Sequence, residues 1–269
     1  MAGVSGDTRP IGMFDSGVGG LSVLAEVRSL MPDESVLYLA DQRWAPYGDR
    51  TLGEVRERAV QVSGQLIDAG SKLVVVACNS ASAAALHHLR EVFPATPFVG
   101  MEPAVKPAAL ESVSGVVGVI ATAATFQGEL FASVVDRHAN GARVLTGAAP
   151  GLAELVEDGA RDSSEVGEIL APILGAMLAA GMDTLVLGCT HYAFLTDTIR
   201  SIVGNDVSII DPAPAVARQV GRILDERDRR APAAEGGGVR YHTTLDPERL
   251  ELAIRDLTGT APELPSLRW

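Results

Sequence analysis

Leu73-Val74-Val75-Val76-Ala77-Cys78-Asn79-Ser80 and Thr184-Leu185-Val186-Leu187-Gly188-Cys189-Thr190-His191 are two stretches of one design, and they decide the fold. Each is an apolar, largely β-branched run, which reads as a parallel strand buried on both faces. Each ends in a cysteine followed by small polar residues suited to opening a helix. The chain has two cysteines, and they stand 111 positions apart (189 minus 78). A thiol at the carboxyl end of such a strand lies where open α/β sheets receive ligands. Two of them, from two similar half-chains, can face each other across one small molecule, the geometry a two-base proton exchange needs.

Outward from these runs, strand-like segments alternate with helical ones. A first series covers 11–14, 36–39, 73–77 and 98–99; a second covers 116–120, 143–145, 184–187 and 207–210. The pattern predicts βαβ units, an α/β fold with parallel sheet. A helix is predicted over 51–69: Thr51 and Glu54 form a capping box, Leu52, Val55, Ala59, Val62 and Leu66 make the apolar stripe, and Gly70 stops it. The two series look like a distant internal duplication, with Asp15 matching Thr122 and Cys78 matching Cys189. Residues 228–238, rich in Arg, Ala, Pro and Gly, read as an exposed loop. A late strand over 240–244 and a last helix opened by Asp246-Pro247-Glu248 follow.

Of the 269 residues 47% are hydrophobic but only 4% aromatic, so the core is aliphatic, as in parallel sheets covered by helices. A net charge of −12 argues against nucleic acid or an anionic membrane as the main partner. It does not argue against a small anion, which backbone N–H groups and helix ends can hold. No segment has the roughly 18 consecutive apolar residues of a membrane span. The longest apolar candidate, 170–181, reads as a buried helix, and residues 1–10 lack the pattern of a secretory signal. A cytoplasmic, reducing location with free thiols is the expectation.

Several motifs carry chemistry. Asp15-Ser16-Gly17-Val18-Gly19-Gly20 follows a strand and precedes a helix; its glycines admit a ligand and its N–H groups can hold a carboxylate or phosphate. It lacks the spacing of a dinucleotide fingerprint. Asp15 at the strand end reads equally as a helix cap or as a catalytic carboxylate. Ala45-Pro46-Tyr47-Gly48-Asp49 reads as a β-turn that leaves Tyr47 and the backbone open to a ligand. Cys78-Asn79-Ser80 and Cys189-Thr190-His191 are the strongest signals: a thiol at a helix N-terminus is expected to have a lowered pKa. Asn79, Ser80 and Thr190 supply neutral donors for a carboxylate. Taken singly, each cysteine also reads as a small buried hydrophobe. His191 is a proton partner for Cys189, which leaves a Cys/His hydrolase open, while two cysteines without a Cys-x-x-Cys pair fit zinc poorly. His87 and His88 read as surface or packing residues, and Glu157 reads as a solvated carboxylate.

Together these segments resemble the glutamate racemases of the cofactor-independent aspartate/glutamate racemase superfamily. The resemblance runs through Gly12 to Leu21, Pro46-Tyr47-Gly48, Ala77 to Ala83, Glu102-Pro103-Ala104-Val105, Asp183 to Tyr192 and the tail around 243–257, and so covers nearly the whole chain. It implies two α/β domains related by a pseudo-twofold, with mostly parallel sheets flanked by helices and the active site at their interface. Residues 1–101 with 211–269 would form the first domain and 102–210 the second. By the same resemblance, Cys78 and Cys189 flank the substrate α-carbon as the two acid/base groups; Cys189 takes the proton from L-glutamate and Cys78 from D-glutamate. Asp15 would assist Cys78, and His191 with Glu157 would assist Cys189. Asp15, Ser16, Pro46, Tyr47, Gly48, Asn79, Ser80, Thr122, Thr125, Thr190 and His191 would contact the substrate.

The resemblance further implies no cofactor and no metal, a role in supplying D-glutamate for peptidoglycan, and a homodimer. Two opposed bases suffice to invert a stereocentre, and no Lys occupies a comparable strand-end motif. Alternatives on the same scaffold are a racemase for aspartate or another acidic amino acid, and a ligand-binding paralogue without turnover. The chain departs from the family pattern at Ala121, Phe131, Ala149 and the run Asp41-Gln42-Arg43-Trp44, where Trp44 is placed to narrow the mouth of the site.

Overall fold

The structure is a computed structural model that describes residues 6–139, 141–233, 236–262 and 266–269. Ten strands occur among these residues: β1 Ile11–Asp15, β2 Val36–Ala40, β3 Leu73–Val76, β4 Phe98–Gly100, β5 Val116–Ala121, β6 Arg143–Ala148, β7 Thr184–Gly188, β8 Ser208–Ile210, β9 Val239–Thr243 and β10 Leu267–Arg268. They form a six-stranded sheet ordered β10-β9-β2-β1-β3-β4 and a four-stranded sheet ordered β6-β5-β7-β8. Every pairing is parallel. The α/β fold expected from the alternating pattern is the fold observed. The two-residue strand β10 was not legible in the sequence.

Each sheet contains the same four-strand unit, in which the chain leaves the first strand to one side and then crosses to the other. Crevices form at the carboxyl ends where the order reverses, here between β1 and β3 and between β5 and β7. Register shifts the expected correspondence by one residue. Val76, two before Cys78, pairs with Phe14, whereas Leu187, two before Cys189, pairs with Ile120. Thr122 therefore corresponds to Ser16, and Ala121 stands where the first sheet has Asp15.

The helices form where their caps and stripes require. Leu52–Asp68 opens on a complete capping box: Thr51 Oγ1 accepts from the Glu54 amide at 3.3 Å and Glu54 Oε2 accepts from the Thr51 amide at 3.0 Å. Loss of such a cap costs about 1 kcal/mol. The helix buries Val55, Ala59, Val62 and Leu66 against Phe14, Leu37 and Val74 of the first sheet. On the other face, Leu21–Leu30 and Ala213–Glu226 share one core with Ile11, Met13 and Val75. In the second sheet, Ser164–Ala179 starts earlier than the apolar run suggests, and it buries Val166, Leu170, Leu174 and Met177 while its other side meets solvent. Asp246 caps Pro247–Thr258 through the Glu248 amide at 3.1 Å, as its sequence predicts.

After Cys189 the expected helix is delayed. A 3-10 segment, Thr190–Leu195, comes first, and Thr196–Val203 continues it. Its threefold repeat puts Tyr192 and Leu195 on one side, both buried in the second core. Among the described residues, no helix is long and apolar enough to cross a membrane.

Candidate active site

A cavity of about 120 Å³ lies between the two sheets, and both thiols line it. Cys78, at the end of β3, precedes the helix Asn79–Val92 as its cap; Cys189 follows β7. Ser16, Pro46, Tyr47, Gly48, Asn79, Ser80, Thr122, Thr190 and His191 line the same cavity. Of the other expected site residues, Asp15, Thr125 and Glu157 stand behind this wall. Thr125 accepts or donates at 3.0 Å to Thr122 Oγ1, which also meets Ser80 Oγ at 2.9 Å, so Thr122 is held from both sides.

The glycine loop does not serve as an open anion cradle. Asp15 Oδ2 accepts from the amides of Gly17 at 3.3 Å and Gly20 at 3.0 Å, and Glu157 Oε1 accepts from the Val18 amide at 2.6 Å. The chain's own carboxylates take these donors. The loop is instead a seat for the other half of the molecule. A Cβ on Gly17 would lie 1.8 Å from Glu157 Oε1, and one on Gly19 would lie 2.4 Å from His191 Nδ1. Only glycine permits that approach.

Glu157, a solvated carboxylate on its sequence alone, is mostly buried and bonds His191 Nε2 at 2.6 Å. His191 Nδ1 in turn faces Cys189 Sγ at 3.7 Å. Burial opposes charge on the Glu157 carboxyl, but its bonds to His191, Val18 and Gln42 outweigh burial and hold it below the usual range. Burial likewise opposes charge on His191, but contact with Cys189 and Glu157 outweighs it and pushes the ring well above its ordinary value. In neutral solution a positive charge therefore rests against the Cys189 sulfur.

Cys78 has the opposite setting. Its Sγ reaches Ser16 Oγ at 3.8 Å. Burial first, and then the charge of Asp15, push this thiol well above its ordinary value, which reverses the lowering expected of a cap position. The helix-end amide of Ala81 and the amide of Ser16 pull the other way and do not prevail. Asp15 is itself pushed up by burial, against the pull of the His191 charge.

Two further expectations are corrected by contacts. The Tyr47 hydroxyl is not open to a ligand: it donates to Asp41 Oδ2 at 2.5 Å, and Arg58 grips the same carboxylate through Nε and Nη2, each at 2.7 Å. Trp44 does not line the cavity; Arg50 and Arg58 lie over its ring at 4.8 and 5.2 Å. Phe131 packs edge-on to Phe126 in a separate cluster with Val117, Val119 and Val186 of the second sheet, while Ala149 does line the cavity. His87 and His88 face solvent beside Glu91, as expected, far from this chemistry in role.

Sequence reasoning passed over Asp41, Gln42 and Glu154. The first two lay in a run noticed only as unusual, and Glu154, which lines the cavity, sits three residues before Glu157 with nothing to set it apart. Asn79 is distinctive: it is 3% exposed, lines the cavity, and neither its Oδ1 nor its Nδ2 has a hydrogen-bond partner. A buried amide of this kind is satisfied by a polar ligand.

Residues 21–220 match the Asp/Glu/Hydantoin racemase family. The chain belongs to that family. A glutamate racemase of Roseiflexus sp. is 52% identical over 250 residues, covering 93% of this chain and 92% of the relative. The crystal structure of a glutamate racemase isoform from Bacillus anthracis superposes with a TM-score of 0.87 at 32% identity over 96% of each chain. That of the Francisella tularensis subsp. tularensis glutamate racemase in complex with D-glutamate gives 0.84 at 28% identity over 97% of each. In this racemase family member, the two thiols, the His191 ring backed by Glu157, and the Asn79 amide surround one cavity between two like sheets.

Proposed function

We propose that the chain is a glutamate racemase, an isomerase that interconverts L- and D-glutamate by proton transfer at two thiols without pyridoxal phosphate. The observation that carries this reading is one cavity with a thiol at the end of the equivalent strand of each sheet. Abstraction of the α-proton of L-glutamate falls to Cys189, whose sulfur meets the imidazolium of His191. Cys78, held as a thiol by burial and by Asp15, returns a proton to the opposite face of the planar carbanion. Reversal of the two roles serves D-glutamate.

Asn79, Ser80, Thr122, Thr190, Ser16 and the turn Pro46-Tyr47-Gly48 hold the amino acid, with the unpartnered Asn79 amide on a carboxylate. Donors fixed in advance around the cavity stabilise the carbanion better than water would. Tyr47 contributes through its backbone and ring, since its hydroxyl serves Asp41. Thr125 acts through Thr122.

The domain division that fits this reading is 1–101 with 211–269, and 102–210. The pairing of β9 with β2 and the packing of Ala213–Glu226 on Leu21–Leu30 support it. The role is supply of D-glutamate for peptidoglycan, in the cytoplasm, by a homodimer. The test is circular dichroism of purified protein with L-glutamate, D-glutamate and L-aspartate in parallel. Loss of the glutamate signal from either enantiomer toward zero, with aspartate unchanged, supports the reading; inversion of aspartate alone, or of neither, overturns it.

A further inference from the structure

The run Asp41-Gln42-Arg43-Trp44, between β2 and the Pro46 turn, has no part in the two-thiol chemistry as described. Its two buried polar members point to different partners. Asp41 holds Tyr47 and Arg58. Gln42 connects β9 of the first sheet to the carboxylate behind Cys189: its Oε1 accepts from Thr243 Oγ1 at 2.8 Å, and its Nε2 donates to Glu157 Oε2 at 3.4 Å.

The orientation of this amide follows from its neighbours. Thr243 Oγ1 accepts from the Leu245 amide at 3.1 Å, so its own proton is free to go to Gln42. The Glu157 carboxylate, an acceptor only, takes the NH₂ of Gln42, which leaves the carbonyl toward the Thr243 proton. On Glu157, Oε1 already accepts from His191 and Val18, each at 2.6 Å. Among the described residues, Gln42 is the hydrogen-bond partner of the other oxygen.

We propose that Gln42, oriented by Thr243, is a positioning residue for proton transfer at Cys189, acting through Glu157 and His191. The inference rests on the two-thiol reading above. A terminal carboxylate torsion is broad, so a carboxylate held by one oxygen can swing. A second cavity of about 180 Å³ is lined by Gln42, Glu157 and His191, so water can compete for the carboxylate when the amide is removed. Arg249 also lines that cavity but is engaged by Asp158 at 2.6 Å, and it does not replace the missing donor.

Isotope effects separate positioning from simple loosening where the direction of turnover does not. L- and D-glutamate have equal free energy, so kcat/KM must fall equally in both directions. The location of the barrier is read instead from α-deuterium isotope effects on kcat/KM. In Gln42→Ala and Gln42→Leu, kcat falls roughly 10- to 100-fold, a part of what general acid–base catalysis contributes, with KM changed less than about twofold. The isotope effect rises with deuterated L-glutamate, whose proton goes to Cys189, and falls with deuterated D-glutamate.

Gln42→Glu adds a pH signature. The new carboxyl can donate to Glu157 only while protonated, so its rate relative to the unsubstituted enzyme falls as pH rises. Unchanged turnover in Gln42→Ala overturns the proposal. So does a slower enzyme with both isotope effects unmoved, or a pH-independent ratio for Gln42→Glu. If the unsubstituted protein does not invert glutamate, the proposed function fails. Gln42 is then judged by the NMR signal of the His191 Nε2 proton in the free protein, which moves upfield in Gln42→Ala if the residue positions the pair and stays in place if it does not.

Discussion

Cys78 and Cys189 sit at the same place in the four-strand unit that the two sheets share, yet their surroundings differ in sign. Beside Cys78 stands Asp15, a buried carboxyl that with burial keeps the sulfur protonated. Beside Cys189 stands His191, whose ring is pushed well above its ordinary value by contact with Cys189 itself and with Glu157. The register explains the difference: the position of Asp15 is taken in the second sheet by Ala121, so the carboxylate of that half reaches its thiol only through an imidazole. A repeated backbone thus supplies two opposed thiols, and on the proposed reading single side chains at the strand ends set which is the acid and which the base for L-glutamate.

The strongest way to break this comparison is to remove one thiol at a time. Cys78→Ser and Cys189→Ser should each lose inversion by more than about 10³-fold, since serine is far too weak an acid and base for either role. The residual chemistry should differ. Cys78→Ser keeps the base for L-glutamate and should exchange its α-hydrogen with deuterated water without inversion, while Cys189→Ser should do so only with D-glutamate. Exchange of the same enantiomer by both variants would contradict the assignment of faces.

Glu157→Gln should follow, with turnover lowered about 100-fold as the fixed imidazolium is lost. The sign of its pH effect is defined. His191 is raised by contact with Cys189 and with the Glu157 carboxylate; with the carboxylate's share removed it loses its proton sooner, so the alkaline limb of the rate profile moves to lower pH. Asp15→Asn should lower turnover roughly tenfold and also shift its alkaline limb down, because the negative charge that disfavours the Cys78 thiolate is gone. Rate profiles across pH 6–10 for each variant check both.

Packing across the two halves gives a smaller effect. Gly17→Ala drives a methyl group into Glu157 Oε1 and should destabilise the protein by about 2 kcal/mol, read as a lower urea midpoint. Trp44→Phe should cost about 0.5 kcal/mol, the loss of cation–π contact with Arg50 and Arg58, with KM for glutamate unchanged because the ring does not line the cavity.

Much of this was legible in the chain. The apolar runs before the cysteines could only be strands buried on both faces, and Thr51 with Glu54 marked a helix start that the structure reproduces. The glycine loop was legible as a place of close approach, but not what approaches: the seat for Glu157 and His191 is a contact across 139 positions between Val18 and Glu157. Glu157 looked solvated because periodicity reports a residue's own helix and not the loop packed over it. The Cys78 shift was misjudged for a related reason, since a helix end is local and readable whereas burial and the Asp15 charge arise only on folding. Gln42 was hidden because a glutamine in a loop carries no pattern until its two partners, 201 positions away at Thr243 and 115 away at Glu157, are in place.

The most direct test of the central claim, one thiol to each face, is a single-turnover conversion of L-glutamate in deuterated water with quenching before the reverse reaction builds up. Two opposed thiols predict that the first D-glutamate formed carries deuterium at its α-carbon while the remaining L-glutamate is still protiated. D-glutamate that retains the original α-proton would mean one base serving both faces, and would contradict the account.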